Sequence, residues 1–194
     1  MQKIDKLCKL AQSGDTDAAS QLLQLFYKKI YSYLRRLSGS NTDAMDLTQQ
    51  TFVKVWQKLD GFKGHCTFNS WVHRIAYNTF VDWLRAKKAS VPGQQAWWGS
   101  LEDTNPGPLK RLEQKQITEK LYKAVESLDK DKRATIHLRY YQQLSIKEAA
   151  FVLGVSSRVV KYRLKIALKE LKIALEQTEV LQNQNLSLRK NKYA

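Results

Sequence analysis

Cysteine is nearly missing from this chain, with two in 194 residues, Cys8 and Cys66. They lie far apart, form no CxxC pair and have no His pair near them, so the sequence builds neither a disulfide framework nor a zinc site. Both read as reduced thiols. No apolar run reaches the roughly 18 residues a membrane helix needs, and Met1 to Leu10 lacks the apolar core of a signal peptide. The expectation is a cytoplasmic protein without a transmembrane segment. Proline (three) and glycine (eight) are also scarce, which leaves little to interrupt helices. No Gly-rich phosphate loop opens a helix, and His65, His73 and His137 sit in unrelated contexts. Asp43 and Asp46 lack the further ligands a metal requires. These absences argue against an enzyme, and no cofactor or small-molecule substrate is expected.

Acidic charge is short too. Thirty-three Lys and Arg against eighteen Asp and Glu give a net charge of +15, which calls for an anionic partner, either nucleic acid or an anionic membrane surface. The excess is concentrated in two places. Residues 136–175 hold eight Lys and Arg against Glu148 and Glu170, a net of +6, and residues 61–90 hold five against Asp82, a net of +4.

All three Pro and three of the eight Gly fall in SVPGQQAWWGSLEDTNPGP, residues 90–108, a stretch without helical period and with a net charge of −2. It reads as a flexible linker between two small helical domains, 1–89 and 109–176, followed by a polar, basic tail at 177–194 that frays. In the first domain, helices are predicted over Asp5–Ser13 and Asp17–Leu37. The second places Ala18, Leu22, Leu25, Phe26, Ile30, Tyr33, Leu34 and Leu37 at spacings of three and four, with Asp15 or Thr16 as its cap. A third helix starts near Thr42–Asp43 with Leu47, Phe52, Val55, Trp56 and Leu59 on one face. A fourth starts at Thr67 or Asn69 and turns Trp71, Val72, Ile75, Phe80 and Leu84 inward. Beyond the linker come an amphipathic helix over Leu109–Ser127 and another led by Asp129 or Asp131. The fold class is all-α, with no β-rich run.

The stretch LSIKEAAFVLGVSSRVVKYRLKIALKEL, residues 144–171, has the form of a helix-turn-helix. Ser145 caps the first helix, Ala149 is small where helices cross, Gly154 makes the turn, Val155 plugs the core and Ser156 caps the second helix. That second helix then offers Ser157, Arg158, Lys161, Tyr162, Arg163 and Lys165, and in this motif its N-terminal part enters the major groove. The plainer account is a helical hairpin with a solvated basic face. In residues 61–90 aromatics interleave with cations: Phe62, Phe68, Trp71, Tyr77, Phe80 and Trp83 among Lys63, Arg74, Arg85, Lys87 and Lys88. Such a composition suits stacking of unpaired bases, although core packing accounts for most of these rings. Phe62, in the Gly-flanked loop DGFKGHCTFN, is the ring hardest to place in a core.

Two stretches taken together resemble a family. DAMDLTQQTFVKVWQKLDGFKGHCTFNSWVHRIAYNTFVDWLRAKK is similar to region 2 of extracytoplasmic-function sigma factors, and LDKDKRATIHLRYYQQLSIKEAAFVLGVSSRVVKYRLKIALKEL to their region 4, in that order and with a linker between. The resemblance implies a subunit that binds core RNA polymerase and directs it to promoter DNA. It implies polymerase docking, on the clamp helices of the largest subunit, by Asp46, Leu47, Gln49, Phe52 and Trp56, with the second domain near the flap. It implies minus-ten recognition and melting through Phe62, Lys63, Arg74, Tyr77 and Asn78, in which a non-template base is flipped out. The recognition helix would read the minus-thirty-five element as duplex. The linker, with Trp97 and Trp98, would lie along the RNA-exit path, and an anti-sigma factor would cover both domains.

The chain departs from the family pattern at Gln50, where an acidic residue is usual, and at Arg158 and Tyr162, where smaller residues are common. The rival readings are a polymerase-independent helix-turn-helix regulator and a nuclease. The first predicts dimers on palindromic sites, and no heptad supplies a dimer seam. The second needs paired carboxylates at metal spacing, which the sequence lacks.

Overall fold

The computed structural model describes residues 2–90 and 120–191, with side chains over 3–87 and 120–176. The stretch containing Trp97 and Trp98, and most of the predicted helix over Leu109–Ser127, lie outside the described residues. Every regular element among the described residues is helical.

The first half is α1 (Gln2–Gln12), α2 (Thr16–Ser38), α3 (Asn41–Lys58), a 3₁₀ turn (Leu59–Gly61) and α4 (Phe68–Ser90). Local chemistry sets each boundary. The Asp15 carboxylate accepts from the amides of Asp17 and Ala18, both at 2.9 Å. Gly39, at φ +75°, closes α2 by donating its amide to the Arg35 carbonyl, a left-handed stop that glycine adopts without strain. The α3 helix starts slightly earlier than its sequence suggests, because Ser40 Oγ accepts from the Asp43 amide at 3.3 Å. At the head of α4, Thr67 Oγ1 accepts from the Ser70 amide at 3.2 Å. Leu22, Ile30, Tyr33 and Leu34 of α2 meet Ala44, Leu47 and Val55 of α3 and Val72 and Ala76 of α4, all 1% exposed or less. Leu25, expected on this face, is instead exposed.

The second half comprises helical residues 120–127 (α5), α6 (Lys130–Ile136), a π-helical turn (His137–Tyr141), α7 (Ile146–Leu153) and α8 (Ser157–Asn191). Asp129, rather than Asp131, caps α6. Ser145 and Glu148 form a reciprocal capping box on α7, Gly154 turns the chain at φ +66°, and Ser156 Oγ accepts from the Val159 amide. Each is a helix-turn-helix position read from the sequence. From Gln177 α8 continues to Asn191, in a stretch that holds no Gly or Pro and includes three Gln and three Leu, which favour helix.

The two halves pack directly on each other, α4 against α7. Thr67 Oγ1 donates to Glu148 Oε1 at 2.7 Å. The fully buried His73 donates Nδ1–H to the Asn69 carbonyl at 2.8 Å, and its Nε2 faces the Gln142 side-chain amide at 3.3 Å. The Arg74 guanidinium lies 4.4 Å from the Phe151 ring centre, and that of Arg36 lies 3.9 Å from the Tyr141 ring. Burial acts to raise the Glu148 pKa, yet hydrogen bonds from Ser145 and Thr67 hold its carboxyl below the ordinary value.

His137 is 1% exposed, and burial, with the cations of Arg36 and Arg133 behind it, pushes its pKa down to about 3. In the unfolded chain an imidazole protonates near 6.5. The unfolded state therefore binds more protons between pH 6.5 and 3, and stability falls as pH falls through that window. For His137 alone the loss between pH 7.5 and 5 is about 2 kcal/mol. Urea unfolding at the two pH values should show a smaller loss in His137→Gln than in the unsubstituted protein. Equal losses would contradict the assignment.

Candidate nucleic-acid and polymerase interfaces

Along α8, Val160, Leu164, Ala167 and Leu171 are buried against the second half's core. With one face committed inward, the helical period sends Arg158, Lys161, Tyr162 and Lys165 to the surface, where Tyr162 is 65% exposed. Ser157 is half-buried beside the turn. Arg163 is different from what the sequence suggests. Its guanidinium forms an ion pair with Asp131 of α6, and Lys132 pairs with Glu170 and Asp129 close by. Arg163 therefore ties α8 to α6, and its charge is already matched.

In the first half, the loop after α3 is held at both ends. At its start, the Gln12 side-chain Nε2 donates to the Leu59 and Phe62 carbonyls, each at 2.9 Å; at its end stands the Thr67 cap. Lys63 is exposed just before Gly64, which takes φ +73°. Phe62, expected to stand apart from the core, is half-buried in an aromatic cluster. Its ring centre is 5.0 Å from Trp71 and 5.4 Å from Phe68, which in turn meets Phe26 edge-on at 5.2 Å. The Gly residues around it let the loop fold back, so the ring closes the bundle's end.

Trp71, Arg74 and Asn78 share one stripe of α4 by their spacing of three and four. The half-buried Trp71, read from sequence as core, thus joins Phe62 to this stripe. Asn78 is exposed, about 10 Å along the helix from Trp71. Arg74 is covered by Phe151 of α7. Tyr77 is half-buried at the same seam, where burial and then the Asp131 carboxylate raise its hydroxyl pKa and Arg163 opposes them. Of the five residues expected at this site, the structure leaves Lys63 and Asn78 exposed, lays Phe62 on the core and places Arg74 and Tyr77 between the halves.

On α3, Asp46 and Gln49 are exposed and Trp56 is half-buried. Leu47 (0% exposed) and Phe52 (5%) belong to the core, which corrects their expected place in a docking surface, because a side chain filling the core presents nothing to a partner. Met45 (48% exposed) and Val53 (55%) stand one helical turn to either side of Gln49 and face outward with it. That spacing of four on each side, off the core stripe, is a sequence signal for a shared outer face. Gln50 is also exposed. Neither thiol is poised for chemistry: Cys8 is buried, and that burial, followed by the nearby Asp5, pushes it up to about 11. Among the described residues, no three His, Cys, Asp or Glu side chains gather to hold a metal.

The Arg163 ion pair predicts a separation of effects. Arg163→Ala should lower stability by about 1 kcal/mol, the upper range for a partly exposed pair, while Arg158→Ala and Lys161→Ala leave it unchanged and weaken DNA binding. Thermal melts and a DNA titration on the same three variants check this. A larger affinity loss for Arg163→Ala than for Lys161→Ala would return Arg163 to the DNA-reading face.

Residues 22–90 match the family described as Sigma-70 region 2, and residues 118–171 match Sigma-70, region 4. The RNA polymerase sigma factor YlaC of Bacillus subtilis (strain 168) is 32% identical over 157 residues, covering 80% of this chain and 91% of that protein. The ECF RNA polymerase sigma-E factor of Escherichia coli (strain K12) is 30% identical over 168 residues, covering 81% and 86%. Among solved structures, that of CnrH in complex with the cytosolic domain of CnrY superposes with a TM-score of 0.65 at 28% identity, covering 88% of this chain and 96% of that chain. A capped helix-turn-helix, an all-helical partner half and matched regions in the same order as these relatives lead to one assignment: the chain belongs to the extracytoplasmic-function RNA polymerase sigma factors of the sigma-70 family.

Proposed function

We propose that this sigma factor docks on the clamp helices of the polymerase's largest subunit through the exposed stripe of α3, Met45, Asp46, Gln49 and Val53, with Trp56 at its edge. Its second domain, residues 109–176, sits near the flap and reads the minus-thirty-five element as duplex. Its first domain, residues 1–89, captures and melts the minus-ten element, with residues 90–108 spanning the two. Polymerase supplies the chemistry, and the protein works in the cytoplasm.

The observation that carries this reading is the division of α8. Arg158, Lys161, Tyr162 and Lys165 all face outward from a capped helix-turn-helix while Val160, Leu164 and Ala167 hold it to the core. Arg and Lys on such a face reach guanine edges and phosphates in the major groove. Lys63 and Asn78 suit a strand whose bases are unpaired, one as a phosphate contact and the other as a hydrogen-bonding partner for a base edge. Since the CnrH structure is a complex with the cytosolic domain of CnrY, a protein partner is expected here as well, in the role of an anti-sigma factor.

Run-off transcription with purified bacterial core polymerase and a genomic DNA library tests the proposal. Transcript starts that depend on this protein and share two upstream motifs at fixed spacing are expected. No added starts, despite duplex binding by the protein alone, would favour a polymerase-independent regulator.

Arg74 and Tyr77 meet DNA only after α4 and α7 part. Gln142→Ala removes the side chain that faces His73 and Phe151→Ala the ring that covers Arg74, and the double variant should loosen the seam. Solution scattering should give a larger radius of gyration for the double variant than for the unsubstituted protein. Identical radii would show that these contacts do not hold the halves together.

A further inference from the structure

The loop proposed to meet the unpaired strand has little to hold it by its own sequence: DGFKGH offers two glycines and a short 3₁₀ turn. One side chain from outside supplies the restraint. Gln12, in the last turn of α1, stands 47 residues before Leu59 and 50 before Phe62, and its single amide nitrogen donates one hydrogen to each of their carbonyls, both at 2.9 Å. The two carbonyls bracket the turn, so the pair of bonds fixes both the turn's pitch and the direction in which the chain leaves toward Lys63. Phe62 then has its backbone held by Gln12 and its ring held by Trp71 and Phe68. Gln12 is itself half-buried, which shelters the bonds from competing water.

From this geometry we infer that Gln12 is a positioning residue for promoter opening. It acts through the backbone of the 59–62 turn to aim Lys63, and the surface made by Phe62 and Trp71, at the extruded base. The inference rests on the reading of this loop as a base contact. It also gives α1 a part in DNA recognition, although Gln12 precedes the stretch matched to Sigma-70 region 2, which begins at residue 22. Alanine at this position leaves the loop free to sample other conformations, and the ordering cost is then met during base capture, when the transition state for opening forms. Glutamate at this position turns a donor into an acceptor facing two carbonyls, which repels the turn outright.

The test uses the full chain assembled with core polymerase on a promoter recovered by run-off transcription, with 2-aminopurine in the minus-ten element to follow opening. Gln12→Ala should slow opening by about tenfold, the equivalent of roughly one net hydrogen bond lost from the loop's order, and Gln12→Glu by more. Affinity for core polymerase and for closed duplex promoter should stay within about twofold of the unsubstituted protein, within the scatter expected for a site that touches neither. Phe62→Ala and Lys63→Ala serve as references. If both references slow opening and Gln12→Ala does not, the positioning role is wrong while the loop's contact with the base stands. If neither reference slows opening, the loop reading fails and the inference with it. If Gln12→Ala lowers core affinity, duplex affinity and opening alike, Gln12 is a fold residue only.

Discussion

Helix α4 is asked to satisfy two bundles at once, and the rest of the molecule is arranged around that demand. One side gives Phe68, Val72, Ala76 and Phe80 to the first half's core. Another gives His73, Arg74 and Tyr77 to the second half. A helix with apolar and polar neighbours on most of its circumference has only a narrow strip left for solvent, and here that strip carries Asn78, Asp82 and Arg85. Polar pairing across the seam fits this arrangement. Between the two halves the apolar core is continuous, and a hydroxyl-carboxylate bond, a histidine-amide contact and two cation-ring contacts are added to it, a polar admixture of the kind found in interfaces between domains.

The positive charge divides along the same lines. The net charge of +15 suggests a surface given over to phosphates, yet several of these cations are structural. Arg35 is buried and bonds Asn41, Arg36 lies over Tyr141, Lys132 pairs with Glu170 and Arg163 with Asp131. These arginines and lysines replace long apolar side chains at helix crossings, using their stems for packing and their heads for pairing. What is left for an anionic ligand is a smaller and better defined set, dense on the outer face of α8. Counterion release scales with that set and not with the total.

Much of the architecture was legible because it rests on short-range rules. The caps at Asp15, Ser145 and Ser156, the left-handed glycine at 154 and the spacing of apolar residues on α2 and α4 all follow from the sequence within one or two turns. The readings that changed depend on partners distant in sequence. No periodicity could link Gln12 to Phe62, or Arg163 to Asp131, because each pair is brought together only after the bundles form. Leu47 and Phe52 show a related limit: similarity to a family motif marks a helix as part of an interface without saying which of its faces is outward, and here the helical phase places both inside. The tail illustrates the opposite case: its polarity points to a frayed end, whereas the absence of Gly and Pro from residues 177–191 lets α8 run on.

That continuity has a mechanical meaning. The thirty-five residues from Ser157 to Asn191 make a rod of about 50 Å at the usual rise per residue, with Arg158 at one end and its final turns well past Leu171, the last α8 residue buried in the core. A rod clamped along its first half, at Val160, Leu164, Ala167 and Leu171, is a cantilever rather than a free strut: the end that bears Arg158 is fixed to the second half's core, while the twenty residues after Leu171 carry the backbone about 30 Å onward.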